Sequence, residues 1–451
     1  MLATTRVLWC CLVGLAVVDL VVLVQLVRPT VWTRWSERAR AGDQSPSVWR
    51  QSDFECLRWV AIDDDGRQTG ETRECWQRVR GGESGYCEIR NASSGERRRV
   101  LFTTSLSLKP DVRYTCRLAR AFSDFHARAT SYRHDPPMPP ADSTRREQQG
   151  IVMAVYERVL PSAYASIRRL RAVGCRLPIE LWFRFDELSV EHVLLQHLID
   201  VYGPIRSRVI HDERAQGFNV KVHAVYFSFA MRDPTPLFSS TLFQLHGGAI
   251  FWPDFWHPGN TIFNVHAQSP VWEMLGLEPV DMLEQESGQV LIDRRRNRAA
   301  LERLMFFATH RPNLFYKLQL VWGDKDLFRL AWLHAGQPFY FHGTRLPGSL
   351  GAVHPQRERF CGMSMVQYDL DGKGILFVHR NTIKLVGNGA GEKRIWHALQ
   401  EYQAGAWPPP NVLSFNGEKL FNETSCFGVK RFAGPEKDGL VVMRYAHTSD
   451  T

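Results

Sequence analysis

The chain has 451 residues, of which 44% are apolar and 12% aromatic, so it can bury a large core and hold more than one domain. Its formal net charge of +9 is modest for this length and comes from scattered basic residues. Because these residues do not form a basic stripe interleaved with aromatic rings, we expect no nucleic-acid partner.

An apolar run lies close to the amino terminus. Leu8 to Val27 is interrupted only by one glycine, one aspartate and one glutamine. A helix of this length spans a hydrocarbon core of about 30 Å, and no small-residue cleavage site precedes Arg28. We therefore predict that residues 1–28 are a cytoplasmic tail and a single transmembrane anchor.

The signals for the orientation of this anchor conflict. Arginines are more frequent after the run than before it, which by itself favours a cytosolic main domain. Two N-glycosylation sequons, at Asn91 and Asn422, favour the lumenal side instead. A cluster of cysteines in a polar segment adds to the lumenal interpretation, since disulfides form in an oxidising compartment.

These cysteines mark a small module within a stem that we place at residues 29–149. The module runs from about residue 50 to 120 and contains Cys56, Cys75, Cys87 and Cys116. Four cysteines allow three disulfide pairings, which the spacing does not rank. Zinc is the rival use, although no pair has the two-residue spacing of common zinc sites. A proline-rich linker from His134 to Gly150 closes the stem.

The predicted main domain covers residues 150–405. Short apolar runs alternate with helical patterns after Gly150, which is typical of an α/β sheet that binds nucleotides. Later, Asp371 and Gly372 predict the turn of a hairpin between residues 363–370 and 374–378. A second proline cluster, at residues 408–410, separates a tail that we place at residues 406–451.

The ten residues from Gly323 to Trp332, GDKDLFRLAW, predict an amphipathic helix with an acidic start. Asp324 occupies the expected cap and Asp326 the first turn, while apolar residues repeat at helical spacing behind them. The spacing leaves two roles open. The aspartates either only cap the helix and complement its dipole, or they are held rigidly toward a polyhydroxylated substrate.

This string resembles one that is characteristic of the fungal-type alpha-1,3-mannosyltransferases, glycosyltransferase family 71. Other segments follow in the order of that family between about residues 150 and 384: GIVMAVY (150–156), LPIELWF (177–183), RDPTPLF (232–238), GGAIFWPDFW (247–256), ESGQVLID (286–293), MVQY (365–368) and LFVHRNTIK (376–384). Each segment is weak evidence alone, but the ordered set is specific.

The resemblance implies a GT-A-like domain of the α/β class, with a mixed and mainly parallel central sheet flanked by helices. It also implies transfer of mannose from GDP-mannose to a mannosylated glycan or glycoprotein, with retention and in an alpha-1,3 linkage. A divalent metal, Mn²⁺, and a type II Golgi membrane topology with a lumenal catalytic domain belong to the same expectation. Two alternatives remain: a retaining transferase that uses a UDP-sugar, and an inactive Golgi scaffold or glycan-binding protein.

Candidate site residues follow from the same resemblance. Asp324 and Asp326 are expected to be catalytic, and His379 and Asp233 are expected to bind the metal. Substrate contacts are expected from six residues: Asp254, Trp256, Glu286, Gln289, Lys325 and Lys384. For His379 and Lys384, a structural histidine and a solvated lysine are an equally open interpretation. Asp254 stands among aromatic residues, a composition suited to a sugar face with a hydrogen-bonding carboxylate, and these aromatics also fit ordinary core.

The chain departs from the family at one point. Members carry a strand that ends in an Asp-x-Asp motif, whose carboxylates hold the metal, between segments like KVHAVYFS (221–228) and FAMRDPTPLF (229–238). Here Ser228 is followed directly by Phe229. A skipped coding segment, an inactive relative and a substitute carboxylate are the competing explanations, and we favour the first because the other motifs are intact. If the chain is real as written, we expect weak binding of Mn²⁺ and GDP-mannose.

Overall fold

A computed structural model describes residues 53–139, 150–228, 236–255, 265–280, 282–343, 346–353, 360–381 and 396–402, and the backbone of 416–420, 424–426 and 440–444. The predicted anchor, Asp233, Trp256, Lys384 and Asn422 lie outside these ranges, so the predictions made for them stay predictions. Within the described ranges, no helix combines the length and apolar character that crossing a membrane requires.

The cysteine module is a small antiparallel β-structure. Its strands are β1 (Phe54–Ile62), β2 (Gln68–Arg73), β3 (Val79–Arg80), β4 (Gly85–Asn91), β5 (Arg97–Thr103) and β6 (Arg113–Tyr114). Four of them form a sheet in the order β2-β1-β4-β5, and β3 pairs with β6. Disulfides join Cys56 to Cys75 and Cys87 to Cys116, which selects one of the three possible pairings and rules out zinc at these cysteines.

Two short helices, α1 (Ala119–Ser123) and α2 (Phe125–Ser131), connect the module to the rest of the fold. Phe125 is fully buried, with its ring centroid 5.1 Å from that of Phe306 and 5.8 Å from that of Phe315. The carboxylate of Glu273 accepts hydrogen bonds from the backbone N–H groups of Leu101 (2.8 Å) and Phe102 (3.0 Å). The module is therefore docked by both apolar and polar contacts.

The segment after residue 150 forms the predicted parallel β/α unit. Its elements are β7 (Ile151–Ala154), α3 (Leu160–Ala172), β8 (Ile179–Arg184), α4 (Val193–Tyr202) and β9 (Ile205–Ile210). The strands pair in the order β7-β8-β9, all parallel. Helix α5 (Asn219–Phe227) packs on this sheet, with Val220 and Ala224 against Trp182 and Ile210.

Strand β7 lies at an edge among the described strands. It pairs with β8 alone, and its four residues are half-buried, whereas every residue of β8 is buried between its two neighbours. Helix α5 ends at Phe227 with Ser228 as its C-cap.

The second half of the described chain, from residue 236 onward, forms the remaining sheets. Its elements are α6 (Pro236–Ser239), α7 (Thr241–Leu245), β10 (Ala249–Pro253), α8 (Val271–Leu275), β11 (Gln285–Ile292), α9 (Arg298–Thr309), α10 (Leu314–Lys317), α11 (Lys325–Ala335), β12 (Tyr340–Phe341), β13 (Gly348–Val353), β14 (Phe360–Tyr368), β15 (Ile375–Arg380), β16 (Ala398–Tyr402), β17 (Asn416–Leu420), β18 (Thr424–Cys426) and β19 (Leu440–Arg444). Three sheets result, in the orders β11-β10-β12, β15-β14-β13-β16-β19 and β17-β18.

The structure confirms an α/β protein with several sheets. It also confirms the hairpin, because β14 and β15 pair in antiparallel fashion around Gly372, whose φ of +73° is left-handed. A single, mainly parallel central sheet is not what the described strands form. Parallel pairing joins β7, β8 and β9, and also β10 and β12, while the other pairs are antiparallel.

Candidate functional site

Helix α11 forms as the sequence predicts and fixes the position of Asp324. Its apolar side chains from Leu327 to Trp332 are fully buried, and the helix ends at Gly336 in a left-handed conformation. Asp324 occupies the N-cap position, but its carboxylate makes no capping hydrogen bond. It contacts Lys221 Nζ at 2.8 Å and accepts a 3.5 Å hydrogen bond from Ser287 Oγ. The simple capping interpretation is therefore wrong for Asp324.

Lys221 joins three elements at this point. It lies in the first turn of α5, and its ammonium donates to the Ser287 carbonyl oxygen (2.9 Å) and hydroxyl (2.8 Å) as well as to Asp324. The Lys221 side chain is 31% exposed, whereas that of Asp324 is only 4% exposed. One partly accessible lysine thus holds a buried carboxylate against strand β11.

Strand β11 bulges where Lys221 meets it. Phe251 pairs with Val290, but the next residue, Trp252, pairs with Glu286, so residues 287–289 have no opposite partners on β10. A side chain at Gly288 would place its Cβ 3.2 Å from His379 Nδ1 and 3.1 Å from a Glu286 carboxylate oxygen. The bulge therefore lets strand β15 approach closely.

Glu286 and His379 form a pair on the other side of this bulge. His379 Nδ1 lies 3.4 Å from Glu286 Oε2, and the Gly288 N–H donates to the second carboxylate oxygen. Burial opposes ionisation of Glu286, but its contact with His379 and the nearby Lys221 charge together lower its pKa below the usual value. Glu286 is thus an anion that faces a half-exposed imidazole.

Asp324 and His379 converge on adjacent residues of one strand. Asp324 meets Ser287, and His379 meets Glu286, although the two lie on elements far apart in the sequence. That Asp324 and His379 act in one site stays a prediction.

Lys325 and Asp254 belong to a buried ion cluster. The Lys325 ammonium contacts Asp254 at 2.7 Å and Glu284 at 2.8 Å. Burial alone would lower the pKa of Lys325, but the surrounding carboxylates raise it. Burial raises the pKa of Asp254, which fits a cluster in which carboxylates outnumber ammonium groups. Both residues were predicted to contact substrate, yet here they hold β10, β11 and α11 together.

Asp326 is completely buried in the same cluster. It accepts hydrogen bonds from the Arg329 guanidinium (2.9 Å) and from the Gln285 backbone N–H (3.3 Å). Arg329 in turn donates to the Leu283 carbonyl oxygen. This geometry gives Asp326 a positioning role, since it aligns the start of β11 with α11, in place of the predicted catalytic role.

Two amide side chains near the bulge have unmet hydrogen-bonding capacity. Within the part of the chain that the structure describes, the buried Nε2 of Gln289 has no hydrogen-bond partner, and neither do Nε2 and Oε1 of Gln285. Buried polar atoms of this kind are rare in folded proteins and often mark the place of a ligand or water. The predicted role of Gln289 in binding a hydroxylated substrate is compatible with this position.

The described residues do not supply a complete metal site. No group of three histidine, cysteine, aspartate or glutamate side chains among them is arranged to hold an ion. Lys325 occupies the centre of the carboxylate cluster, Arg329 neutralises Asp326, and Glu286 with His379 would offer two ligands. Mn²⁺ and similar ions take more ligands than two, so this pair alone does not make a metal site.

Sequence reasoning missed Lys221, Glu284, Ser287 and Arg329. The spacing of Glu284 and Glu286 was a usable signal, because residues i and i+2 of an extended segment point to the same face. Arg329 also did, since it follows Asp326 at the i, i+3 spacing of a helical ion pair. Lys221 and Ser287 gave no local signal, because their partners come from distant parts of the chain.

Comparison with known proteins supports a glycosyltransferase. A family model described as a mannosyltransferase matches residues 148–269 and 278–369, a region that includes α11 and the bulge of β11. The chain is 22% identical over 237 residues to alpha-1,2-mannosyltransferase MNN22 of Candida albicans, covering 40% of this chain and 39% of that protein. It is 21% identical over 291 residues to alpha-1,2-mannosyltransferase MNN5 of Saccharomyces cerevisiae, covering 49% of each.

These matches support the mannosyltransferase family assignment that the sequence motifs suggest. They do not support the alpha-1,3 linkage, because both relatives are named for alpha-1,2 transfer. The chain spans less than half the length of the curated relatives it matches.

Proposed function

We propose that this protein transfers mannose from GDP-mannose to a hydroxyl group of a mannose-containing glycan, with retention at the anomeric carbon. The observation that carries the proposal is the convergence of Asp324, Lys221, Glu286 and His379 on one bulge within the region that matches mannosyltransferases. The linkage in the relatives' names favours an alpha-1,2 product over the alpha-1,3 product that the motifs suggest.

Each group has a role that its surroundings support. Asp324 is a buried carboxylate on a rigid helix, suited to stabilise the positive charge that develops at the sugar carbon. Lys221 keeps that carboxylate in place and is accessible enough to approach an anionic leaving group. His379 offers an imidazole that, when protonated, favours the departing diphosphate.

The reaction breaks the bond between the anomeric carbon and the diphosphate oxygen and forms a bond to the acceptor oxygen. The acceptor hydroxyl gives its proton to the departing diphosphate, and GDP is the second product. Retention requires that the acceptor approach from the face that the leaving group vacates, or that a covalent intermediate form. The stereochemistry is measured on the product.

Manganese dependence, the Golgi membrane and a lumenal catalytic domain remain part of the proposal. The Glu286–His379 pair is the place where described residues would contribute to a metal site. Asn91 lies at the end of β4 in the turn before β5, where a glycan on the sequon would be sterically acceptable. Loss of apparent mass after endoglycosidase treatment of the native protein would support lumenal exposure.

A donor panel tests the function directly. The purified full-length chain is incubated with GDP-mannose, UDP-glucose, UDP-galactose or UDP-N-acetylglucosamine, an alpha-linked mannotriose, and either Mn²⁺ or a chelator. Among the four donors, we expect only GDP-mannose to give a lengthened product. This product should resist an alpha-1,3-specific mannosidase and be cleaved by an alpha-1,2-specific one. Transfer from a UDP-sugar would replace the donor assignment, and no transfer from any donor would favour the inactive scaffold.

Asp324→Asn is the variant that tests the site. We expect it to lose at least tenfold in kcat and, because its contact with the Lys221 ammonium is weakened as well, up to about 2 kcal/mol in the free energy of unfolding. Glu187→Gln, an acid on the loop after β8, is the matched control and should keep its activity. Equal kcat in the wild type and Asp324→Asn would remove the role assigned to this carboxylate.

A further inference from the structure

Three large aromatic side chains are exposed beside the proposed catalytic carboxylate. Phe218 is 60% exposed, Trp322 is 58% exposed and Tyr316 is 38% exposed. Trp322 and Gly323 directly precede Asp324 in the chain, and Phe218 precedes α5, the helix that carries Lys221. Such groups of exposed rings are uncommon on a protein surface and often mark a binding site.

The rings are held in place by contacts around Gly323. Gly323 has a left-handed φ of +70°, and a Cβ there would lie 3.0 Å from the Phe218 ring, so the ring packs directly on the glycine. The Tyr316 hydroxyl donates to Asn219 Oδ1 at 2.9 Å, and the Asn219 amide donates to the Ala308 carbonyl oxygen. Phe218 and Tyr316 are therefore anchored through neighbouring residues at the start of α5.

The cysteine module reaches the same surface. The Lys109 ammonium lies 5.4 Å from the centroid of the Trp322 ring, within the range of a cation–π contact. Lys109 lies between β5 and β6, where its carbonyl oxygen accepts a hydrogen bond from the Val112 N–H. One basic group of the module thus covers part of the aromatic surface next to Asp324.

The chemistry of this surface indicates its occupant. A pyranose ring has an apolar face of C–H groups that packs on aromatic rings, while its hydroxyls remain available to polar groups at the edge. Trp322 lies two residues before Asp324 in the chain, and Phe218 packs on the Gly323 between them, so a sugar stacked on these rings lies beside the segment that carries the proposed catalytic carboxylate. A nucleotide base also stacks on such rings, and a Trp322→Ala protein that loses affinity for GDP-mannose while keeping that for mannotriose would assign the surface to the donor instead.

We propose that Phe218, Tyr316 and Trp322 form the binding surface for the acceptor glycan, and that the cysteine module completes it through Lys109. This inference rests on the proposed function, since it assigns the acceptor side of the same site. It gives the module a part in choosing the acceptor.

Acceptor binding without donor tests the proposal. Titration of the full-length protein with alpha-linked mannotriose is followed by calorimetry and by saturation-transfer NMR. We expect Trp322→Ala and Phe218→Ala to weaken binding about tenfold, the equivalent of about 1.4 kcal/mol. Lys109→Met should weaken it about threefold, in line with an exposed cation–π contact. Trp76→Ala is the matched control, since Trp76 is an exposed tryptophan of the module (62%) and should bind as the wild type does.

Kinetics then separate this inference from the proposed function. In the transfer assay, Trp322→Ala should raise KM for mannotriose by a larger factor than KM for GDP-mannose, whereas the control Trp76→Ala should change neither. Wild-type affinity in both Trp322→Ala and Phe218→Ala, or no binding of mannotriose by the wild type, would overturn the acceptor surface. A third outcome is that the wild type binds mannotriose and Trp322→Ala weakens this binding, but no donor supports transfer. That result would reject the enzymatic function and keep the glycan-binding surface.

Discussion

Removing the charge of Lys221 should destabilise the fold and reduce transfer together. In Lys221→Met, a side chain of similar length keeps the packing but loses the contacts to Asp324 and Ser287. The two charges are 2.8 Å apart, which corresponds to a direct attraction of about 6 kcal/mol at an effective dielectric constant of about 20. Desolvation of the ammonium offsets part of this attraction in the wild type.

The net cost is smaller than the direct attraction. Breaking a fully buried ion pair costs about 3–5 kcal/mol, because the remaining charge is stranded. Since the Lys221 side chain is 31% exposed, water can reach Asp324 in the variant, and we expect a loss of about 2 kcal/mol in the free energy of unfolding. We expect kcat/KM to fall tenfold or more, because Asp324 is then no longer held in one position.

Urea denaturation and steady-state kinetics on the same preparations measure both effects. Lys373→Met removes a comparable lysine–aspartate contact, at 3.1 Å to Asp371, from the exposed hairpin, and we expect no measurable change there. Lys221→Arg should recover part of both losses. If Lys221→Met matches the wild type in unfolding free energy and in kcat/KM, the positioning role of Lys221 is refuted.

Four further changes test other features of the fold and the site. Lys325→Met strands carboxylates in a buried cluster and should cost about 3–5 kcal/mol by urea denaturation, more than Lys221→Met. Gly288→Val should separate Glu286 from His379 and abolish transfer, while it lowers the free energy of unfolding far less than Lys325→Met does. Because the pKa of Glu286 is lowered in the folded state, its contribution to stability is present above the unfolded value of 4.5 and is lost as the pH falls below it. Glu286→Gln should reduce this loss of stability at acid pH, which is the acid limb of the stability profile. In the cysteine module, Cys87→Ala removes the Cys87–Cys116 disulfide and should lower the free energy of unfolding by about 3 kcal/mol.

Each of these expectations has a contrary result. Equal stability of Lys325→Met and the wild type would mean that the carboxylates are solvated or protonated without cost. Full activity in Gly288→Val would show that the close approach of β15 has no part in transfer. An unchanged acid limb in Glu286→Gln would assign the pH dependence to other carboxylates. Undiminished stability without the Cys87–Cys116 disulfide would imply that the module is held by its packing alone.

Local rules in the sequence predicted several elements of the fold. The Asp371-Gly372 hairpin follows from turn chemistry, and the β7-α3-β8 unit follows from apolar runs that alternate with a helical pattern. The start of α11 at Asp324 follows from a cap residue before apolar residues at helical spacing. In these cases the residues that decide the structure lie within one turn or one element.

The candidate site was predictable only in part, because its contacts join distant segments. Asp254 was expected to face sugar on account of the aromatic residues around it, but Lys325, 71 residues later, binds it in the buried cluster. Trp252 is 1% exposed and donates a hydrogen bond to the Tyr368 carbonyl oxygen, so it belongs to the core. Neither contact can be read from spacing along the chain.

The docking of Phe125 against the aromatic rings of α9 and α10 bears on how the protein can be produced. A recombinant form that starts at residue 150 would leave Phe306, Phe307 and Phe315 without the ring that covers them, and this apolar patch would then face the solvent. Expression should therefore start upstream of Phe54 and take place in a secretory host that can oxidise the two cystines before the polypeptide matures.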